Sequence, residues 1–100
     1  MTEALEITTF HLTGDFGGTD FIAVNSDVDA YLKTRPGFRW RRITQDEDGT
    51  VVDVVAWDSE ADARAGAAGI MTELAGSPVH AMIDQATVDF RILPVIHRLD

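Results

Sequence analysis

Residues 48–69, DGTVVDVVAWDSEADARAGAAG, constrain this chain more than any other stretch. Asp48-Gly49 is a hairpin-turn dipeptide, because glycine reaches positive φ without steric cost. Val51 to Trp57 reads as a strand. Val52, Val54 and Ala56 share one face; Val51, Asp53, Val55 and Trp57 share the other. Both faces are mostly apolar, whereas a strand with one wet face alternates cleanly, so this strand is expected to be covered on both sides. Asp58 or Ser59 caps the helix that follows, with Glu60 and Asp62 in its first turn, where the helix dipole favours anions. The helix is expected to run to about Leu74, where Gly76 and Pro78 stop it. Ala65, Gly66, Ala67, Ala68 and Gly69 make it thin enough for a sheet to approach closely.

The rest of the chain supplies partners for this unit. Leu5 to Thr13 alternates as a strand, with Leu5, Ile7, Thr9 and His11 against Thr8, Phe10 and Leu12. Gly14-Asp15-Phe16-Gly17-Gly18 is a loop that matches neither a dinucleotide fingerprint nor a P-loop. Thr19 or Asp20 caps the next helix, whose buried stripe is Phe21, Val24, Val28 and Leu32. Asn25 sits at the edge of that stripe, either as a ligand-facing amide or as a local break, and Asp27 and Asp29 could recap the helix into two short ones. Arg35-Pro36-Gly37 ends it. Phe38 to Thr44 is the second strand, with Phe38, Trp40, Arg42 and Thr44 on one face. With two or four loop residues in the hairpin, even positions here lie beside odd positions of the third strand. Trp40, Arg42, Asp53, Val55 and Trp57 are then expected on one surface, with an Arg42–Asp53 pair. Arg39 and Arg41 read as gatekeepers of an edge strand. Ser77 to Asp84 forms a short helical turn. Thr87 to Ile96 is the last strand, placed at an edge by Pro94, which has no N–H to donate.

The order β-α-β-β-α-β predicts one α+β domain over residues 1–100, a ferredoxin-like four-stranded antiparallel sheet with its helices on one face. The helices are expected over Val52 and Val54, leaving the tryptophan face bare, and a second copy of the chain is the simplest cover. One hundred residues with 45% hydrophobic content build one small core. There is no cysteine, which excludes disulfides and thiolate chemistry. A net charge of −9 argues against nucleic acid and anionic lipid as partners. The acidic, strand-like start and the lack of a long apolar run predict a cytoplasmic protein that does not enter membranes. The acidic residues near 46–48 and 58–62 act as turn and cap, and the three dispersed histidines have no metal-ligand spacing, so no metal is expected.

Pro36-Gly37-Phe38, Asp48-Gly49, Val54-Val55-Ala56-Trp57-Asp58-Ser59-Glu60-Ala61-Asp62-Ala63 and the later His80 resemble the antibiotic-biosynthesis-monooxygenase-like group of dimeric α/β-barrel proteins. The resemblance covers nearly the whole chain and is specific to fold rather than reaction. It implies a homodimer whose sheets form one barrel, and a pocket beside the sheet or in the barrel for a small apolar or aromatic molecule. The group's cofactor-independent monooxygenases oxidise phenolic or polyketide-like substrates and need a base, an oxyanion donor and a dry aromatic pocket. By that resemblance His80 or His11 supplies the base, Asn25 and Arg42 the donors, and Trp40 and Trp57 the walls, with no cofactor. Read from packing alone, Trp57 is a core or dimer residue, and Arg42 with Asp53 a cross-strand pair that could also position a polar ligand group. The haem-degrading branch carries an aromatic on the helix before its haem-ligating histidine; no aromatic lies between Glu60 and His80.

Overall fold

A computed structural model of the chain describes residues 2–100. Four antiparallel strands form one sheet in the order β2-β3-β1-β4: β1 is Ala4–Phe10, β2 Phe38–Gln45, β3 Val51–Trp57 and β4 Asp89–Pro94. Helices α1 (Gly18–Ala23) and α2 (Ser26–Lys33) link β1 to β2; α3 (Glu60–Thr72) and the short α4 (Val79–Met82) link β3 to β4. The fold is the ferredoxin-like α+β arrangement that the element order predicts, and β4 with Pro94 lies at an edge. No helix among the described residues is long and apolar enough to cross a membrane.

Local chemistry accounts for the helix boundaries. The Asp20 carboxylate accepts from the Gly17 N–H at 2.9 Å and anchors the start of α1. The helical stripe does break in two, at Asn25, whose side-chain amide donates to the Phe21 carbonyl at 2.7 Å and takes up a carbonyl of the broken turn. Ser59 caps α3 by accepting from the Asp62 N–H at 3.2 Å.

The hairpin joining β2 and β3 reverses one expectation. Asp46 donates its N–H to the Thr50 carbonyl at 3.0 Å, leaving a three-residue loop, Glu47-Asp48-Gly49. Gly49 takes φ +90°, the left-handed residue that closes a loop of this length. An odd loop pairs odd with odd: Arg41 lies opposite Val55 and Ile43 opposite Asp53, while Arg42 lies opposite Val54. The helices therefore cover the face bearing Val51, Asp53, Val55 and Trp57, and the open face carries Trp40, Arg42, Val52 and Val54. A one-residue change in loop length swaps every side chain of one strand relative to its neighbour. An irregularity between Phe38 and Trp40 then turns Phe38 back to the helix side, where its ring meets Trp57 edge-on at 5.9 Å.

The core lies between sheet and helices, built on Phe10, Phe21, Leu32, Val51, Val55 and Trp57. Trp57 is fully buried here, away from the open face. Gly66 of α3 lies against the end of its indole ring, where a Cβ would collide with Trp57 Cη2. The small residues thin the helix at that contact, and Gly66 is the residue that lets the tryptophan fit.

Candidate functional site

A cavity of about 410 Å³ opens between the helix side of the sheet and α1, α3 and α4. This is within the range of small-ligand pockets. Its walls are apolar, from Phe10, Phe21, Val28, Ile70, Val79 and Ile83. Its charged groups and one amide come from three strands and one helix junction, Glu6, Asp53, Arg41 and Asn25, and Thr8 and Gln85 add further polar side chains. His80 also lines it, from α4.

Arg41 organises this cluster. Its side chain is only 8% exposed, and it grips Asp53 with two hydrogen bonds, Nε to Oδ1 at 3.0 Å and Nη2 to Oδ2 at 2.7 Å. Nη1 donates to Asp29 at 2.8 Å, and Nη2 to the Asn25 side-chain oxygen at 2.8 Å. Burial opposes the guanidinium charge, but the hydrogen bonds and charge of Asp53, reinforced by Asp29, outweigh it and hold the Arg41 pKa above its ordinary value. One arginine thus ties β2 to β3 and to α2, and fixes Asn25 against the cavity.

Glu6 stands apart from that cluster. It points inward from the middle of β1, 6% exposed, and Trp57 donates its indole N–H to Oε1 at 3.1 Å. No arginine or lysine forms an ion pair with it among the described residues, because Arg41 is spent on Asp53 and Asp29. Burial raises its pKa from 4.5 to about 7. The Trp57 hydrogen bond and the Arg41 charge pull the value down, while Asp53 pushes it up. The carboxyl is therefore poised between its two forms near neutral pH, which is where proton transfer is most useful.

The cavity brings together three of the seven residues singled out in the sequence: Asn25, Asp53 and His80. His80 Nε2 is 2.9 Å from the Leu74 carbonyl, which can only accept, so this nitrogen carries a proton. Arg42, expected beside Asp53, is on the opposite face, its guanidinium 4.9 Å from the centre of the Trp40 ring. The odd hairpin loop gives its expected place to Arg41, which is therefore a buried organiser and not an edge gatekeeper. Trp40 shares the open face with Arg42 and does not line the cavity. His11 is exposed beyond the end of β1, where Nε2 lies 3.1 Å from Thr50 Oγ1. Trp57 reaches the site only through the hydrogen bond it gives Glu6.

Two residues escaped sequence reasoning. Glu6 shares its strand face with Ala4, Thr8 and Phe10, and an acid at such a register position was the available signal. Arg41 carried no signal of its own, since its direction depends on the hairpin loop.

No protein-family model matches the sequence, and no curated protein matches it significantly. Solved structures do match. A ferredoxin-like α+β sheet defines the class. Within that class the neighbours are antibiotic biosynthesis monooxygenases and related ferredoxin-like proteins. The chain is similar to SnoaB, a cofactor-independent oxygenase from Streptomyces nogalater (17% identity, 99% of this chain and 98% of that one, TM-score 0.76). It is similar to the monooxygenase ActVA-Orf6 of Streptomyces coelicolor, solved with nanaomycin D (19% identity, 98% and 91%, TM-score 0.75). A dimeric ferredoxin-like protein from an uncultured marine organism also matches (13% identity, 100% and 93%, TM-score 0.73). At these identities the likeness is one of fold.

Proposed function

We propose that this chain binds a small apolar or aromatic molecule in the cavity beside its sheet. The observation that carries the reading is the enclosure itself: a space of about 410 Å³ with aromatic and aliphatic walls and a few convergent polar groups. The test is a thermal-shift screen against phenols, quinones, polyketide-like aromatics and fatty acids. A ligand at a hundred times its Kd adds about 2.7 kcal/mol to the native state, a rise on the order of 10 °C for a domain of this size. A flat response to every class overturns the reading.

A second reading, cofactor-independent oxygenation of a phenolic or polyketide-like substrate, is favoured by Glu6 and the Arg41–Asn25 pair along one largely apolar cavity and by the two oxygenases that share the fold. In that reading Asn25 offers a fixed amide to a developing oxyanion, and His80 lies across the same space. Oxygen uptake on a ligand found by the screen, lost in Asn25→Ala with binding retained, is the supporting result. Turnover unchanged in that variant overturns the assignment.

The open sheet face presents half-buried Leu5, Ile7, Val52, Val54 and Trp40, and none of the described helices packs over it. A homodimer closed through this face is part of the same proposal, supported by the dimeric neighbour of like fold. Sedimentation velocity is expected to give twice the chain mass, and Val54→Asp to give the monomer. A wild-type monomer at all concentrations overturns it.

A further inference from the structure

The carboxyl of Glu6 is half used. Oε1 accepts from the Trp57 indole, and Oε2 has no hydrogen bond among the described residues. Among the described residues no buried side-chain nitrogen or oxygen lacks a partner. Oε2 is therefore not sealed in the core but open to the cavity that Glu6 lines. A carboxylate oxygen held on a central strand, open to a largely apolar space and without a cation of its own, is a hydrogen-bond acceptor there. It accepts a hydrogen bond, and then a proton, from whatever O–H enters.

We propose that Glu6 Oε2 is the proton acceptor of the cavity, taking the proton from a hydroxyl on the bound aromatic molecule, with Trp57 as the residue that positions it. The step balances without a further reactant. The ligand O–H bond breaks, the proton joins Oε2, and the electron pair stays on the ligand oxygen as an electron-rich anion. The transfer moves one negative charge from protein to ligand and creates none, so the apolar walls do not penalise it as they would a new ion. The titration range of Glu6 fits the role, and its surroundings explain that range: Trp57 donates from β3, and Arg41 and Asp53 lie beside it from β2 and β3. Asp29 on α2 meets it only through Arg41, and His80 faces the same space from α4. The inference rests on the ligand-binding reading above.

Two measurements on the intact protein separate it from that reading. The first needs no ligand. The Trp57 indole N–H resonance, assigned with a Trp40→Phe variant, is expected to shift with a midpoint near pH 7 and to stay flat in Glu6→Gln. A Trp57 resonance with no transition between pH 6 and 8 overturns this proposal and leaves the pocket reading standing.

The second compares two probes, 1-naphthol and 1-methoxynaphthalene, by calorimetry across the same pH range. An ionised acceptor makes a hydrogen bond roughly twice as strong as a neutral one, so naphthol affinity is expected to rise about five- to tenfold through pH 7. The methoxy probe, with no proton to give, is expected to show no such rise. Glu6→Gln flattens the naphthol profile and His80→Gln keeps it. Flat naphthol binding in the wild type, or a pH dependence that follows His80, overturns the assignment. Naphthol that does not bind overturns this proposal, while the pocket reading falls only with a flat response to every class in the wider screen.

Discussion

Trp57→Ala is expected to cost about 3–5 kcal/mol of unfolding free energy, read from urea denaturation by circular dichroism. The ring is fully buried, packs edge-on against Phe38 at 5.9 Å, and seats on the bare backbone of Gly66. Those neighbours sit on β2 and α3 and cannot collapse together into the space, so most of the cavity stays open. Trp57→Phe separates packing from hydrogen bonding. It keeps a ring in the slot and loses the indole N–H that Glu6 accepts. It should recover much of the stability, and it should raise the Glu6 pKa further, because that hydrogen bond favours the charged form. A loss below about 1 kcal/mol for Trp57→Ala would mean that the ring is not part of the core.

The placement of Trp57 shows where the sequence was legible and where it was not. Element order, the approximate strand positions, a cap at Asp58 or Ser59 and the edge position of Pro94 follow from local signals, although β1 ends at Phe10 rather than Thr13 and β4 spans Asp89–Pro94 rather than Thr87–Ile96. Facing is different. It depends on a long-range register, and here the register hangs on one residue of loop length. Asp48-Gly49 marks a turn, but two-, three- and four-residue loops can all contain it. Only the extended reach from Asp46 to Thr50, with Gly49 at φ +90°, selects the odd loop. That choice sent Arg42 and Trp40 outward and brought Arg41 in. Val52 and Val54 could not arbitrate, since both faces of β3 are apolar and either satisfies a core.

The candidate site was legible in part for the same reason. Asn25 sits at the edge of the helical stripe, at the break between α1 and α2, and His80 lies in the short turn of α4; both line the cavity. Asp53 lines it too, although its partner is Arg41. Glu6 was visible as an acid among inward residues of β1, yet one carboxylate near a chain terminus has no pattern. Its meaning comes from what surrounds it: an indole on one oxygen, an open cavity on the other, and a neighbouring arginine already committed elsewhere.

That environment makes Glu6 costly to the fold, and the cost depends on pH. In the unfolded chain its carboxyl ionises near its ordinary 4.5, and in the native protein near 7. Below 4.5 both states hold the proton, and Glu6 does not penalise folding. Between 4.5 and about 7 the unfolded chain releases the proton first, so the native state binds more protons and stability falls as pH rises. Above about 7 both states are ionised, and the native one keeps a carboxylate in a poor solvent. The separation, at about 1.4 kcal/mol per pH unit, amounts to about 3 kcal/mol. Glu6→Gln keeps an oxygen for the Trp57 N–H and removes the charge. The variant should match the wild type at pH 4 and exceed it by about 3 kcal/mol at pH 8, in urea unfolding run at both values. The pH 4 comparison is the control, because a general packing effect of the amide would appear there as well. Equal stability at pH 8 would show that the carboxylate is solvated in the native state, and that nothing keeps Glu6 poised. A gain confined to high pH would identify a residue that the fold would be steadier without, and whose presence in the cavity then needs a chemical reason.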